Sequence, residues 1–314
     1  MLISCRSPDG GRAGAPVTRF ITRGPAARIE VLDWGGSGAP LVFLPGLGNT
    51  AHVYQDFAPR FTDQHRVVAI TPRGFGASRP NDRGAPLDTV LADIAAVIDS
   101  LGLAPVTLVG HSLGGDLTTF FAARFGPRVA RVVYLDGAND RRPGAQPPPN
   151  AGWPAPPQMT AEDSASVQAF QAYVERTYGP RLPPADLLAT HRFDRTGRLQ
   201  GDITPDSVVR VLIGSMRPAP YDSVAVPALA VYPRPDAARY DMPYWNRLRG
   251  APRADADSLT AWLVRASRAN IDSVRAMLRS LEVVEIPTSG HLIFLLTPSE
   301  TEAAMRTFLG RDRR

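Results

Sequence analysis

Short apolar runs alternate with amphipathic stretches along most of this chain. The runs Arg28–Leu32, Leu41–Leu44, Val67–Ile70, Val106–Val109, Val132–Leu135, Ala228–Tyr232 and Val283–Ile286 are rich in Val, Leu and Ile and bounded by Gly or Pro. Continuous apolar character of this kind predicts strands buried on both faces, as in a parallel sheet. Between them, Leu87, Val90, Leu91, Ile94, Ile98 and Leu101 recur at helical spacing and give one apolar face. Leu113–Phe125 and Ser299–Leu309 are read as helices too. Strand alternating with helix predicts an α/β fold with a doubly wound, mostly parallel sheet.

The alternation breaks between residues 137 and 225. That stretch holds Pro147-Pro148-Pro149, a helix opened by the Thr160/Asp163 capping-box pattern, and a second helix from Pro205 to Ile213. It reads as an inserted, mainly helical cap, with the sheet resuming at Val226-Pro227. The core is then 26–136 together with 226–310. Asp255–Ser280 carries one or two further helices, and the segment is long enough that part of it can join the cap. Residues 1–25, with Arg6, Arg12, Arg19, Arg23 and many Gly and Pro, read as a disordered lead-in.

Chemistry enters at "VGHSLGGD". Gly110-His111-Ser112-Leu113-Gly114 sits between an apolar strand and a helix, so Ser112 occupies a sharp reversal where flanking glycines avoid Cβ clashes. The hydroxyl lies beside a helix N-terminus, which favours developing negative charge. A serine nucleophile needs a base and an orienting acid. Of the five histidines, His291 follows the last strand on a Ser289-Gly290 turn and is the expected base. Asp236, ending "VPALAVYPRPD", is the expected acid, and Asp136 is the alternative. Oxyanion donors are expected from the N–H groups of Leu113 and of Leu47 in "LPGLGNT", with Asn49, Thr50 and His52 as substrate contacts.

With "DWGGSGAPLVFLPGLG", "TPRGFGASRP", "LVGHSLGGD", "VPALAVYPRPD" and "PTSGHLIF" in this order, the chain resembles the α/β-hydrolase superfamily over about residues 26 to 310. The resemblance implies Ser112, His291 and Asp236 as a triad and a carboxylic ester hydrolase working through an acyl-enzyme, with water as second substrate and no metal or cofactor. Pro45 and Thr71 depart from residues common in that family (His and Asp). Lactonase, thioesterase and C–C bond hydrolase chemistry remain alternatives, as does a non-catalytic small-molecule-binding protein. Cap aromatics Trp153, Tyr173 and Tyr178 suggest an apolar pocket.

Composition narrows this only slightly. All 35 basic residues are Arg, dispersed along the chain, and the net charge of +5 does not build the concentrated basic face that nucleic acid needs. Cys5 is the only cysteine, which excludes an intrachain disulfide. No membrane span is expected. A cytoplasmic protein is the default, with Leu2-Ile3-Ser4-Cys5 pointing to the alternative of a trimmed lipoprotein leader.

Overall fold

The computed structural model describes residues 14–24, 27–80, 82–142, 154–234, 243–287 and 290–311. In chain order the elements are β1 (Val17–Arg23), β2 (Ala27–Gly35), β3 (Pro40–Leu44), β4 (Arg66–Ile70), α1 (Leu87–Ser100), β5 (Val106–His111), α2 (Leu113–Arg124) and β6 (Val129–Leu135). There follow α3 (Val167–Tyr178), α4 (Pro184–Thr190), β7 (His191–Phe193), β8 (Leu199–Asp202), α5 (Asp206–Gly214), β9 (Ala228–Pro233), α6 (Gly250–Met277), β10 (Leu281–Ile286), α7 (Ile293–Leu296) and α8 (Pro298–Leu309).

Eight strands form one sheet in the order β1-β2-β4-β3-β5-β6-β9-β10. It is parallel from β4 to β10, with β1 and β2 antiparallel at one edge. Alternate residues of the apolar runs enter opposite layers. Leu108, Val132 and Tyr134 pack with α1, α2, α5 and α6 on one face. Val109, Val133 and Leu135 pack with Phe43, Tyr54, Phe57, Phe61, Phe294 and α8 on the other. This two-sided burial is why the strands lack polar alternation.

The expected doubly wound sheet is present, with three departures. Part of the lead-in is ordered: Val17–Arg23 pairs along its length with β2, Arg19 binds Asp33 at 2.7 Å, and the Arg28 guanidinium lies 3.7 Å over the Phe20 ring. The insertion is helical but also holds the β7–β8 hairpin. Its Thr160/Asp163 pair bonds reciprocally, at 2.9 and 3.2 Å, yet closes a turn; α3 starts later, capped by the Ser166 hydroxyl accepting from Ala169 N–H. Pro147-Pro148-Pro149, Trp153, Leu2–Cys5 and Asp236 lie outside the described residues. Tyr173 is buried against Phe170 and Leu187, while Tyr178 is half exposed. Among the described residues no helix is long and apolar enough to cross a membrane.

The insertion is bound into the core. Val208 and Leu212 of α5 are buried in the same layer as α1 and α2. A methyl on Gly74 or Gly84 would strike Val208 or Val211, so α5 sits directly on backbone there. Beyond β9, Tyr244 donates a hydrogen bond to the Pro154 carbonyl at 2.8 Å, joining the segment before α6 to the cap.

Candidate active site

Two non-glycine residues among those described have a left-handed backbone: Ser112, at φ 49° and ψ −118°, and Asp136, at φ 45°. Such conformations cost roughly 1–3 kcal/mol and persist only where the surroundings impose them. At Ser112 the imposition is close packing. A methyl on Gly110 would meet the Gly114 carbonyl, and one on Gly114 would meet that of Leu44. Side chains at these positions would push α2 off the end of β5. Leu113, the first residue of α2, has no intrahelical acceptor for its N–H.

His291 follows β10 and is a third exposed. Its Nδ1 lies 2.6 Å from Oδ2 of Asp136, whose side chain is only 10% exposed. Because the carboxylate accepts, Nδ1 carries the proton and Nε2 is the ring's basic site. The His291 ring stands 4.5 Å, centroid to centroid, from that of His111, the residue before Ser112. His111 Nε2 is 3.1 Å from the His291 carbonyl oxygen, so it donates and straps the base-bearing loop to the elbow. Burial, reinforced by the neighbouring His291 charge, holds His111 well below the usual histidine range. Its Nδ1 has no hydrogen-bond partner among the described residues, as a neutral ring permits.

The carboxylate seen on His291 is Asp136, the alternative acid of the sequence; Asp236 lies outside the described residues. Asp136 ends β6 and donates its own N–H to Val231 at 2.8 Å. The turn it begins is held firmly. Tyr232 Oη donates to the Ala138 carbonyl at 2.6 Å, Asn270 of α6 donates to the same oxygen at 2.9 Å, and Asp140 N–H donates to Asn270 Oδ1 at 2.7 Å. Arg141 reaches back to Asp116 of α2 at 2.7 Å. In sequence, "VVYLDGAND" carried the signal: an apolar strand ending on Asp before Gly.

Gly46 packs against the Ser112 elbow, its hydrogen side 3.2 Å from Ser112 Cβ if a methyl were placed there, and Leu47 is exposed at the loop's tip. Asn49, Thr50 and His52, the expected substrate contacts, hydrogen-bond to the buried carboxylates Asp186 and Glu30. Asn49 Nδ2 donates to Asp186 Oδ2 at 2.9 Å, and the Thr50 N–H and hydroxyl donate to Asp186 Oδ1 at 3.0 and 2.7 Å. Thr50 is fully buried. His52 Nε2 lies 3.3 Å from Glu30, which also accepts from Thr71 at 2.7 Å. Burial works against the Glu30 charge, but the His52 and Thr71 hydrogen bonds outweigh it and hold the carboxyl below its ordinary value. Thr71 is thus part of a buried polar network, with its hydroxyl accepting from Ala51 N–H at 3.0 Å. No group of three or more His, Cys, Asp or Glu among the described residues is arranged to hold a metal ion.

Comparison with known proteins fits this geometry. The model of the alpha/beta hydrolase fold matches residues 39–298. A 2-(acetamidomethylene)succinate hydrolase from Mesorhizobium japonicum is 25% identical over 287 residues, 87% of this chain and 89% of that one. A non-heme haloperoxidase from Rhodococcus erythropolis is 37% identical over 132 residues, 41% of this chain and 44% of that one, so the chain spans less than half of that relative. Among solved structures, an E-2-(acetamidomethylene)succinate hydrolase superposes with a TM-score of 0.67 at 19% identity, over 94% of this chain and 99% of that one. An N-acyl homoserine lactone degrading enzyme, Est816, gives 0.59 at 18%, over 92% and 100%. With the elbow, the sheet order and a family model matched over most of its length, this chain belongs to the alpha/beta hydrolase fold family.

Proposed function

We propose that this protein is a serine hydrolase that cleaves carboxylic esters through an acyl-enzyme, with Ser112 as nucleophile, His291 as base and Asp136 as acid. The observation that carries the reading is the 2.6 Å His291–Asp136 pair beside the strained Ser112 elbow. Ser112 Oγ attacks the ester carbonyl while His291 Nε2 takes its proton, and Asp136 stabilises the imidazolium. The oxyanion is held by the N–H groups of Leu113 and Leu47. His291 returns the proton to the departing alkoxide, leaving acyl-Ser112 and a free alcohol. Water, deprotonated by His291, then releases the carboxylic acid and restores the serine.

The test is a pair of substitutions read with a fluorophosphonate probe and a p-nitrophenyl ester. Ser112→Ala is expected to abolish labelling and lower kcat by on the order of 10⁴ or more with the fold intact. Asp136→Asn, which mis-sets the His291 tautomer, is expected to cost about 10²–10⁴-fold, and Asp236→Asn far less. Labelling that persists in Ser112→Ala, or an inactive Asp236→Asn beside an active Asp136→Asn, overturns the assignment. A second reading, hydrolysis of a small acetamido acid, is favoured by the relative that aligns over 87% of the chain. Release of acetate from such a compound in parallel with the ester assay decides between them.

A further inference from the structure

We propose that Asp186, on the cap helix α4, is a positioning residue for the oxyanion loop, so that seating of the cap sets the geometry of the oxyanion hole. The inference rests on the Ser112 reading above but draws on different contacts.

The loop in question runs from β3 through Pro45-Gly46-Leu47-Gly48-Asn49-Thr50 to the short helical turn Ala51–Tyr54. On one side it touches the elbow, where a methyl on Gly46 would lie 2.7 Å from His111 Nδ1 and 3.2 Å from Ser112 Cβ. On the other side its last two residues are gripped by one carboxylate. Asp186 has no exposed surface and takes three hydrogen bonds from them, two at Oδ1 from Thr50 and one at Oδ2 from Asn49. Within the loop, Asn49 N–H donates back to the Gly46 carbonyl at 3.2 Å. The grip on Asn49 and Thr50 is thereby passed to the peptide just before Leu47.

Burying a carboxylate is costly, and the groups that donate to this one, from Thr50 and Asn49, are neutral. Burial pushes the Asp186 carboxyl up, against the pull of the Thr50 and Asn49 hydrogen bonds. An apolar side chain would hold helix to loop more simply by packing alone. What a carboxylate adds is direction: two acceptor oxygens oriented toward three donors fix the rotation of the loop as well as its distance. Rotation is what an oxyanion donor needs, since its N–H must point at an atom that becomes charged only in the transition state.

Asp186→Asn is the first test. Its amide cannot accept at both oxygens, so either Thr50 or Asn49 meets an NH₂ group. Thr50→Val removes one donor and keeps the shape, and Thr50→Ser restores it. For Asp186→Asn and Thr50→Val, kcat on p-nitrophenyl acetate is expected to fall 10- to 100-fold with KM changed less than threefold, and Thr50→Ser to recover most of the loss. Amide hydrogen exchange in a peptide covering 46–50 is expected to rise at least tenfold, with exchange in α2 unchanged. Normal kcat together with normal loop exchange overturns the proposal. So does a loss of kcat that follows only the unfolded fraction read from thermal melting. Should Asp186→Asn not fold, Thr50→Val and Thr50→Ser decide. If the wild-type protein is neither labelled by fluorophosphonate nor active on esters, the serine hydrolase reading fails, while loop exchange still decides whether Asp186 holds the loop.

Discussion

His111 is a neutral imidazole in the folded protein, its one ring proton held on Nε2, and this gives the molecule an acid-sensitive point beside the Ser112 turn. Burial lowers its pKa well below the ordinary value of 6.5, so the unfolded chain gains a proton that the folded one refuses. The stabilising contribution is complete above pH 6.5 and is lost as pH falls from there toward the folded pKa. His111→Asn is expected to flatten the fall in urea-unfolding stability between pH 7.5 and 5. Matching slopes in the two proteins would mean that the folded state takes up the proton after all. At this scale the sharp turn at Ser112 was legible because its neighbours in sequence, Gly110 and Gly114, are the residues that build it, and the place of His291 because it follows the last strand. The acid was not. Asp136 and Asp236 both follow apolar strands, and the strands concerned, β6 and β9, are adjacent in the sheet. What marks Asp136 is a left-handed φ and the pinning of its turn by Tyr232 and Asn270, distant in sequence. The partners of Asn49, Thr50 and His52 stay hidden for a related reason: Asp186 and Glu30 are far from them along the chain.

Elements announced themselves when their apolar residues repeat. The helix α1 and strands β3 to β6 were visible because two-sided or one-faced burial leaves a periodic trace. β1 left none: five of its seven residues are polar or mostly exposed, and it is held by backbone pairing to β2. The Thr160/Asp163 pair shows the same limit from the other side. Reciprocal hydrogen bonds form locally, but no apolar stripe follows at once, and the helix waits for Ser166. α5 illustrates a periodic element whose destination was hidden. Its sequence places it in the expected cap, and Leu212 is 1% exposed within the layer that also contains α1 and α2. Leu212→Ala is therefore expected to destabilise the entire protein by about 2–5 kcal/mol, seen as one shifted cooperative transition in denaturant melts. A separate early transition, with the remainder unaffected, would make the cap an independent unit.

Over the whole molecule, the absence of lysine acquires a structural sense. Planar guanidinium forks meet carboxylates at Arg73–Asp93, Arg128–Asp99 and Arg142–Asp140, so the basic residues are distributed among local pairs instead of forming a face. The same integration governs the cap. α4 grips the loop after β3, α5 completes a core layer, and Tyr244 ties in the segment beyond β9. If a cap attached at so many points roofs the site, turnover of p-nitrophenyl esters is expected to fall with acyl length and to show no jump at the substrate's solubility limit. A profile that peaks at long chains and jumps there would rule out a closed roof. The Asp186 contact gives this selectivity a particular form. An oversized acyl group that lifts α4 also slackens the loop that must face its oxyanion, so the misfit is registered after docking, in the chemical step. Long esters would then occupy the enzyme without being consumed and act as competitive inhibitors of short ones: the protein would discriminate by refusing to react, not by refusing to bind.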